Sequence, residues 1–169
     1  MSTPERVAAF DLADSAQTRL LGAVLARFLA PGAVIALEGP LGSGKTTLVS
    51  GLLGALGSST PAASPTFNLL HIHPTQPPVY HFDAWRLTRP EDFEGMGAED
   101  YLYGSGISIV EWAGKVRQYM PAESIWIEMA HTAVGRSARI SLRGEASRFF
   151  SQFVAAAADV GIICVSGGC

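Results

Sequence analysis

One eight-residue segment, residues 39–46, restricts the possible folds of this chain more than any other part of its sequence. It reads Gly-Pro-Leu-Gly-Ser-Gly-Lys-Thr and matches G-x-x-x-x-G-K-[ST], the pattern of a phosphate-binding loop. Such a loop follows a buried strand and opens a helix, whose N-terminus completes the anion site. An apolar run at 34–37 precedes the segment, and apolar residues at helical spacing follow it over 46–56. The sequence therefore predicts an α/β unit built around bound phosphate.

The residue types in this loop suit a nucleotide with its metal ion. Glycines let the backbone turn so that successive N–H groups point at an anion. The Lys45 ammonium is placed to neutralise the β- and γ-phosphates, which makes it a catalytic candidate, and the Thr46 hydroxyl is placed to ligate Mg²⁺. No N-K-x-D segment, the signature of guanine recognition, occurs, so ATP is the expected nucleotide. The predicted nucleotide contacts in the loop are Gly39, Leu41, Gly42, Ser43, Gly44, Lys45, Thr46 and Thr47.

The composition fits a globular protein without a general attraction to nucleic acid. The chain has 169 residues, of which 48% are hydrophobic and 16% charged, and its net charge is −3. We predict one domain over residues 1–169, with a tail helix from about residue 148. No signal peptide and no membrane span are expected. Cys164 and Cys169 fit no disulfide framework and are expected to be free thiols, so a cytoplasmic location is predicted.

Further strands and helices are predicted from alternating and helical spacing of apolar residues. Strands are expected at 7–12, 67–73, 79–87, 106–110, 124–129 and 138–142. Helices are expected at 18–29, 89–96, 98–103, 113–120 and 148–158, and Asp14 and Gln17 form a capping-box spacing before the first of them. The strands around the proline-rich turn at 74–78 should form a hairpin, and those at 124–129 and 138–142 should be antiparallel neighbours at a sheet edge.

Two carboxylates stand where predicted strands end. Asp83 ends the alternating run 79–82, and Glu111 ends the apolar run 107–110. The carboxyl ends of strands in such a sheet lie near the phosphate loop, and the chemistry needs acidic partners for the metal and the attacking water. We expect Asp83 and Glu111 to serve both catalysis and metal binding, together with Thr46. Spacing leaves open which one binds metal and which one activates water, and a capping role is the alternative for each.

Candidates for further nucleotide contacts lie in a hydroxyl-rich loop and in a late basic cluster. Thr66 follows the loop helix, where switch segments occur, and is a candidate γ-phosphate sensor, with a turn hydroxyl as the alternative. The cluster consists of Arg136, Arg139, Arg143 and Arg148. It could contact phosphate, nucleotide or an RNA-bearing partner, and Arg139 is the predicted nucleotide contact. The other interpretation is the solvated face of an edge strand.

The predicted hairpin carries three histidines, His71, His73 and His81. Residues two apart on a strand share a face, so His71 and His73 could take part in a metal site with His81. A polar hairpin face is the favoured interpretation. Arg86 could steady transition-state charge, or it could form a surface salt bridge.

Six stretches, in this order, resemble the TsaE (YjeE) family of small bacterial ATPases of tRNA threonylcarbamoyladenosine synthesis. They are GPLGSGKTT at 39–47, SPTF at 64–67, HFDAWRL at 81–87, EDYL at 99–102, VEW at 110–112 and GRSAR at 135–139. The resemblance covers roughly residues 10–142. Trp85 stands where the family more often has tyrosine, and the segment from about residue 149 onward is not covered.

The resemblance implies an α/β fold, a phosphate-loop NTPase sheet with parallel central strands, antiparallel additions and helices on both faces. It implies slow hydrolysis of Mg-ATP in support of the TsaD and TsaB proteins, which modify adenosine 37 of tRNA. The chain would reach tRNA only indirectly, through that complex, and this fits its net charge. For this chain's residues it implies phosphate and Mg²⁺ contacts at Lys45 and Thr46, a γ-phosphate contact at Thr66 and a position for Trp112 beside the metal and water site.

Two other functions are compatible with a phosphate loop. The alternative is a small-molecule kinase, which needs an acceptor pocket and usually an arginine-rich lid. The dense arginine stretch at 136–148 is more typical of a strand than of a lid. The third possibility is a nucleotide-dependent binding switch without turnover.

Overall fold

The computed structural model describes residues 4–62 and 68–167, which form an eight-stranded sheet with helices. The strands are β1 (Arg6–Leu12), β2 (Val34–Glu38), β3 (Leu70–His73), β4 (Val79–Asp83), β5 (Ile107–Glu111), β6 (Ile125–His131), β7 (Arg136–Leu142) and β8 (Cys164–Gly167). The α-helices are α1 (Ser15–Ala26), α2 (Lys45–Ala55), α3 (Glu91–Gly95), α4 (Ala98–Leu102) and α5 (Phe150–Asp159). Two 3₁₀ helices cover Ala113–Tyr119 and Gly144–Phe149.

The sheet has a parallel centre and antiparallel flanks. Its strand order is β3-β4-β5-β2-β6-β7-β1-β8. The four central strands, β4, β5, β2 and β6, are parallel to one another. The outer strands are antiparallel to their neighbours: β3 on one side, and β7, β1 and β8 on the other. The predicted fold class is confirmed. Its consequence for function is that β2, β4 and β5 all end at the same edge of the sheet.

Both faces of the central strands are covered, which explains why β2 is an uninterrupted apolar run. On one face Ile35 and Leu37 pack with residues of α1, α2 and α5. On the other face Val34 and Ala36 pack with residues of α3, α4 and the 3₁₀ helix Ala113–Tyr119. Each strand residue faces the opposite side from its neighbour, so a buried strand needs apolar residues at every position.

The first helix begins where a capping box predicts a start. Asp14 caps α1, and its Oδ1 accepts a hydrogen bond from the Gln17 amide at 2.8 Å. The Gln17 side chain returns the interaction by accepting from the Ala13 amide at 2.8 Å. Two backbone donors at the helix start are thereby satisfied. The helix starts at Ser15, three residues before the predicted position, because its first turn carries too few apolar residues to show the periodicity.

The pairing of the late strands is partly as predicted. The hairpin of β3 and β4 is confirmed, and so is the antiparallel pairing of β6 with β7. Their expected position at a sheet edge is wrong. β6 pairs with β2 on its other side, and β7 pairs with β1. Strand β1 is more than a hundred residues away in the chain, so local spacing gives no signal that it takes the open side of β7.

The C-terminal part of the chain contains more structure than the sequence pattern indicates. The predicted tail helix is present as the 3₁₀ helix Gly144–Phe149 followed by α5, and strand β8 then pairs with β1. Cys164 is disulfide-bonded, so the expectation of a free thiol at this position is wrong. Cys169 lies outside the described residues. Among the helices of the described ranges, none has the length and apolar character needed to span a membrane.

Candidate nucleotide-binding site

The phosphate loop connects β2 to α2 and has a backbone that requires glycine. Gly39 and Gly44 have φ angles of 143° and 102°, which L side chains rarely adopt. A Cβ on Gly39 would lie 2.3 Å from the Met129 carbonyl oxygen and 2.8 Å from Ser43 Oγ. Gly44 is the N-cap of α2. The loop therefore turns tightly against β6 and delivers Lys45 and Thr46 at the positive end of a helix.

Lys45 is a buried cation held by the loop itself. Its Nζ donates to the carbonyl oxygens of Gly39 at 2.7 Å and Pro40 at 3.1 Å. The same nitrogen lies 4.1 Å from the centroid of the Trp112 ring, within cation–π range. Burial lowers the pKa of Lys45, and the nearby charges of Glu111, Glu38 and Asp83 partly oppose that fall. These carboxylates thus surround the loop lysine, as a site for a phosphate-bound metal requires.

Glu111 and Thr46 meet behind the loop. Thr46 Oγ1 lies 3.5 Å from both carboxylate oxygens of Glu111. Glu111 is only 2% exposed, and its Oε1 accepts from His81 Nε2 at 2.8 Å. A carboxylate beside a hydroxyl offers the hard oxygen atoms that Mg²⁺ prefers, and Mg²⁺ usually takes one or two carboxylates plus phosphate oxygens. The residues therefore fit Mg²⁺, and in the described ranges no cluster of three acidic, histidine or cysteine side chains forms a separate metal cage.

Asp83 lies beside Glu111 at the end of β4. The two residues are direct partners in the parallel pairing of β4 with β5, so their side chains share a face. Asp83 Oδ1 accepts from the Trp85 amide at 2.9 Å, which is the turn interaction expected of an aspartate after a strand. The geometry thus gives Asp83 a local structural role in addition to its position near the loop.

A third carboxylate, Glu38, was missed by the sequence reasoning. It ends β2 directly before the loop, and its charge is one of those that raise the pKa of Lys45. Its Oε2 accepts from the Gly114 amide at 2.5 Å, which ties the end of β2 to the turn after β5. The rule that singled out Asp83 and Glu111, an acid at the end of a buried strand, applies equally to Glu38.

Trp112 lies over Lys45 because of an unusual backbone. Its φ of 59° makes it the single non-glycine residue of the described ranges with a positive φ, a conformation often associated with functional sites. Its ring lies 4.3 Å from that of Trp85. The Lys115 ammonium donates to the backbone carbonyl of Trp85. Two tryptophans and a lysine thus form one wall beside the loop, as the resemblance implies for Trp112.

The turn between β6 and β7 forms another wall. Arg136 Nε donates to the Gly42 carbonyl at 3.1 Å, and His131 Nε2 lies 3.2 Å from the Leu41 carbonyl oxygen. His131 carried no signal in the sequence. Arg139 lies further along β7, 4.0 Å from Glu128, with its side chain 55% exposed. Of the late arginines, Arg136 is therefore the one hydrogen-bonded to the phosphate loop.

The other basic residues of the late cluster are spread over the surface. Arg143 donates to Glu5 at 3.0 Å and Arg148 pairs with Glu145 at 2.8 Å. These pairs are exposed, so each contributes little to stability. Thr66, with the SPTF motif around it, lies outside the described residues.

The hairpin histidines form a row and not a solvated face. His73 and His81 are fully buried, and the rings of His71, His73 and His81 stack with centroids 4.6 and 6.1 Å apart. His73 Nδ1 lies 3.0 Å from Thr60 Oγ1. Burial, with smaller effects of His71 and His81, lowers the pKa of His73 to about 4. The three histidines do share one polar face of the hairpin, and two of them are buried there, with Ser58 and Thr60 of the segment after α2 beside His73.

Comparison with known proteins agrees with the fold and the motifs. The family model described as "Threonylcarbamoyl adenosine biosynthesis protein TsaE" matches residues 12–139. The chain is 38% identical to the tRNA threonylcarbamoyladenosine biosynthesis protein TsaE of Treponema pallidum, over 68% of this chain and 84% of that protein. It is 34% identical to the Bacillus subtilis protein of the same name, over 70% of this chain and 81% of the relative.

A solved structure shows the same fold. The crystal structure of Bacillus subtilis YdiB superposes with a TM-score of 0.74 and 24% sequence identity, covering 90% of this chain and 95% of the other. The family match spans the phosphate loop, the strand ends with Asp83 and Glu111, and the turn that carries Arg136. With this match and relatives above 30% identity over more than two thirds of its length, the chain belongs to the TsaE family.

Proposed function

We propose that this protein is an ATPase of tRNA N6-threonylcarbamoyladenosine synthesis, which binds and slowly hydrolyses Mg-ATP to support the TsaD–TsaB transferase complex. One observation carries the proposal. The Glu111 carboxylate lies 3.5 Å from the Thr46 hydroxyl, directly behind a phosphate loop whose lysine is buried. The family's role in the pathway supports the choice of process. We further propose that the chain acts as a single domain in the cytoplasm and meets tRNA through its partners.

The residues of the site have different roles in binding and hydrolysis, which follow from their chemistry. Loop N–H groups and the Lys45 ammonium bind the phosphates, and Lys45 exchanges its two carbonyl acceptors for phosphate oxygens when nucleotide binds. Thr46, with Glu111 and Asp83, would hold Mg²⁺, which supplies charge neutralisation at the phosphates. The other task of the two carboxylates is to orient and deprotonate the attacking water. We assign that task to Glu111, because its carboxylate lies 3.5 Å from the Thr46 hydroxyl of the loop, whereas one oxygen of Asp83 accepts from the Trp85 amide in the turn after β4.

A kinase function receives less support from the same geometry. A cavity of about 830 Å³ is lined by residues such as Phe28, Ala33 and Ile125. Ala33 precedes β2 and Ile125 begins β6, so this cavity lies at the opposite edge of the sheet from the phosphate loop. An acceptor bound there could not reach a γ-phosphate in the loop. Arg136, the late arginine that is hydrogen-bonded to the phosphate loop, lies at the start of strand β7 and not in a lid segment.

The test is phosphate release from Mg-ATP by the purified protein, alone and with its cognate TsaD and TsaB. We expect slow release that depends on the partners and that falls by about 10²-fold or more in Glu111→Ala, the scale of general-base loss. Asp92→Ala, which removes an exposed carboxylate paired with Arg89, should leave the rate unchanged. Rapid turnover without partners, or transfer of phosphate to a small alcohol, would contradict the proposal. Nucleotide-dependent partner affinity without any phosphate release would identify a switch instead.

A further inference from the structure

The contact between His81 and Glu111 joins two fully buried polar groups. His81 is 0% exposed and Glu111 is 2% exposed, and 2.8 Å separates His81 Nε2 from Glu111 Oε1. An ionised carboxylate can only accept, so the imidazole Nε2 carries the hydrogen. A buried carboxylate is stable only where hydrogen bonds replace its lost water. His81 provides that replacement for one of the two oxygens.

A second buried histidine, His73, packs against the imidazole ring of His81. His73 stacks on it with centroids 6.1 Å apart and an interplanar angle of 30°. His73 Nδ1 in turn lies 3.0 Å from Thr60 Oγ1 and 3.5 Å from Ser58 Oγ, in the segment that follows α2. The row therefore runs from Glu111 to the segment after α2 through two buried rings. Because the His81 ring is fully buried and packs on His73, we expect its hydrogen bond to Glu111 to keep one direction.

That direction determines which way the carboxylate faces. With Oε1 bound to His81, both oxygens lie 3.5 Å from Thr46 Oγ1, so the carboxylate presents its edge to the first turn of α2. Lys45 is the nearby cation: burial lowers its pKa, and Glu111 has the largest effect among the charges that oppose this fall. Without the His81 hydrogen bond, attraction would draw Glu111 toward the Lys45 ammonium and away from the position beside Thr46.

We propose that His81 is a positioning residue for Glu111: through its Nε2–H bond it orients the carboxylate that serves the metal and the attacking water. The role of Glu111 in this proposal rests on the proposed function. The contact between His81 and Glu111 rests on geometry alone. Partners that orient a ligand or a base in this way typically contribute 10- to 100-fold to activity or metal affinity. His81 itself makes no contact with nucleotide.

The kinetic test compares two replacements of His81 with a neighbouring control. His81→Phe keeps a planar ring and removes the hydrogen bond, so kcat for ATP hydrolysis in the presence of the partners should fall about 10- to 100-fold. KM for ATP should stay within about twofold, because loop contacts set nucleotide affinity. His81→Gln places an amide N–H near the position of Nε2 and should recover a large part of kcat. The control is His71→Gln, on the same face of the hairpin but without contact to Glu111.

Three kinetic results would overturn the proposal. The first is a wild-type kcat in a folded His81→Phe variant. The second is an equal loss of kcat in the His81→Phe and His81→Gln variants, and the third is an equal loss in His71→Gln. Each of them would show that the hydrogen bond from His81 to Glu111 does not determine kcat. Circular dichroism and thermal unfolding check that every variant is folded.

A second measurement separates this proposal from the proposed function. In a ¹H–¹⁵N spectrum of the four histidine rings, assigned with the His→Gln variants, His81 should show an Nε2–H protected from solvent exchange. That signal should be lost in Glu111→Ala. A rapidly exchanging Nε2–H in the wild type would overturn the contact, whether or not the protein hydrolyses ATP. Absence of hydrolysis in the wild type with a protected Nε2–H would reject the proposed function only.

Discussion

Burial changes the pKa values of single residues at and beside this site, and His73 is one of them. Its ring is fully buried, and desolvation together with His71 and His81 lowers its pKa to about 4. An ordinary histidine has a pKa of about 6.5. The folded protein therefore holds His73 neutral at pH values where the unfolded chain protonates it.

We expect the free energy of unfolding to fall as the pH is lowered from about 6.5 to about 4, because the unfolded state binds a proton that the folded state excludes. The stabilisation is fully present above pH 6.5 and is lost toward pH 4. The shift corresponds to about 3 kcal/mol. Urea unfolding of the wild type and of His73→Phe between pH 4 and 7.5 measures this pH dependence. The free energy of unfolding of the variant should change less steeply with pH than that of the wild type. Equal slopes in the two proteins would exclude His73 as the source.

At the scale of elements, the position of α2 depends on its close contact with α1. A Cβ on Gly22 of α1 would lie 2.1 Å from the Leu48 carbonyl oxygen and 3.0 Å from the Leu52 amide nitrogen. A Cβ on Gly51 of α2 would lie 1.9 Å from the Arg19 carbonyl oxygen. The two helices touch backbone to backbone at these glycines. Since α2 carries Lys45 and Thr46 at its first turn, this contact also sets the geometry of the nucleotide site.

Gly22→Ala should destabilise the protein by about 1–3 kcal/mol, the usual range for overpacking, despite a gain of about 1 kcal/mol in helix propensity. Urea unfolding at neutral pH measures the change. Gly54→Ala is the control, because Gly54 lies in α2, the other helix of this contact, and a Cβ there would meet no atom within 4 Å. We expect that control to be neutral or stabilising. A stabilising Gly22→Ala would mean that α1 and α2 can move apart without loss.

The molecule as a whole brings the site together at one edge of the sheet. Strands β2, β4 and β5 end there with Glu38, Asp83 and Glu111, and the turn between β6 and β7 closes one side. Each of these parts belongs to the folded state, and the unfolded chain has no such site. Ligand binding should therefore stabilise the whole fold.

Mg-ATP at about 100 times its Kd should stabilise the wild type by about 2.7 kcal/mol, measured as a rise in Tm in thermal unfolding. At the same Mg-ATP concentration, Lys45→Ala should lower this stabilisation to between about 1.4 and 0.4 kcal/mol, because a charged hydrogen bond of about 1.5–3 kcal/mol lowers affinity about 10- to 100-fold when lost. Arg89→Ala removes one exposed positive charge that is paired with Asp92, and it should retain the full shift. A full shift in Lys45→Ala would show that nucleotide binds elsewhere.

The sequence by itself determined the parts of this protein that depend on near neighbours in the chain. The phosphate loop, the capped start of α1, the β3–β4 hairpin and the acids at strand ends follow from local backbone preference and spacing, and the ordered motifs indicated the family. Tertiary structure decided the rest. Three long-range features join residues 30 to 136 positions apart: the pairing of β1 with β7, the bond from His81 to Glu111 and the bond from Arg136 to Gly42. Such contacts depend on which strands become neighbours in the sheet, and that choice is made by burial of the whole core and not by any local pattern.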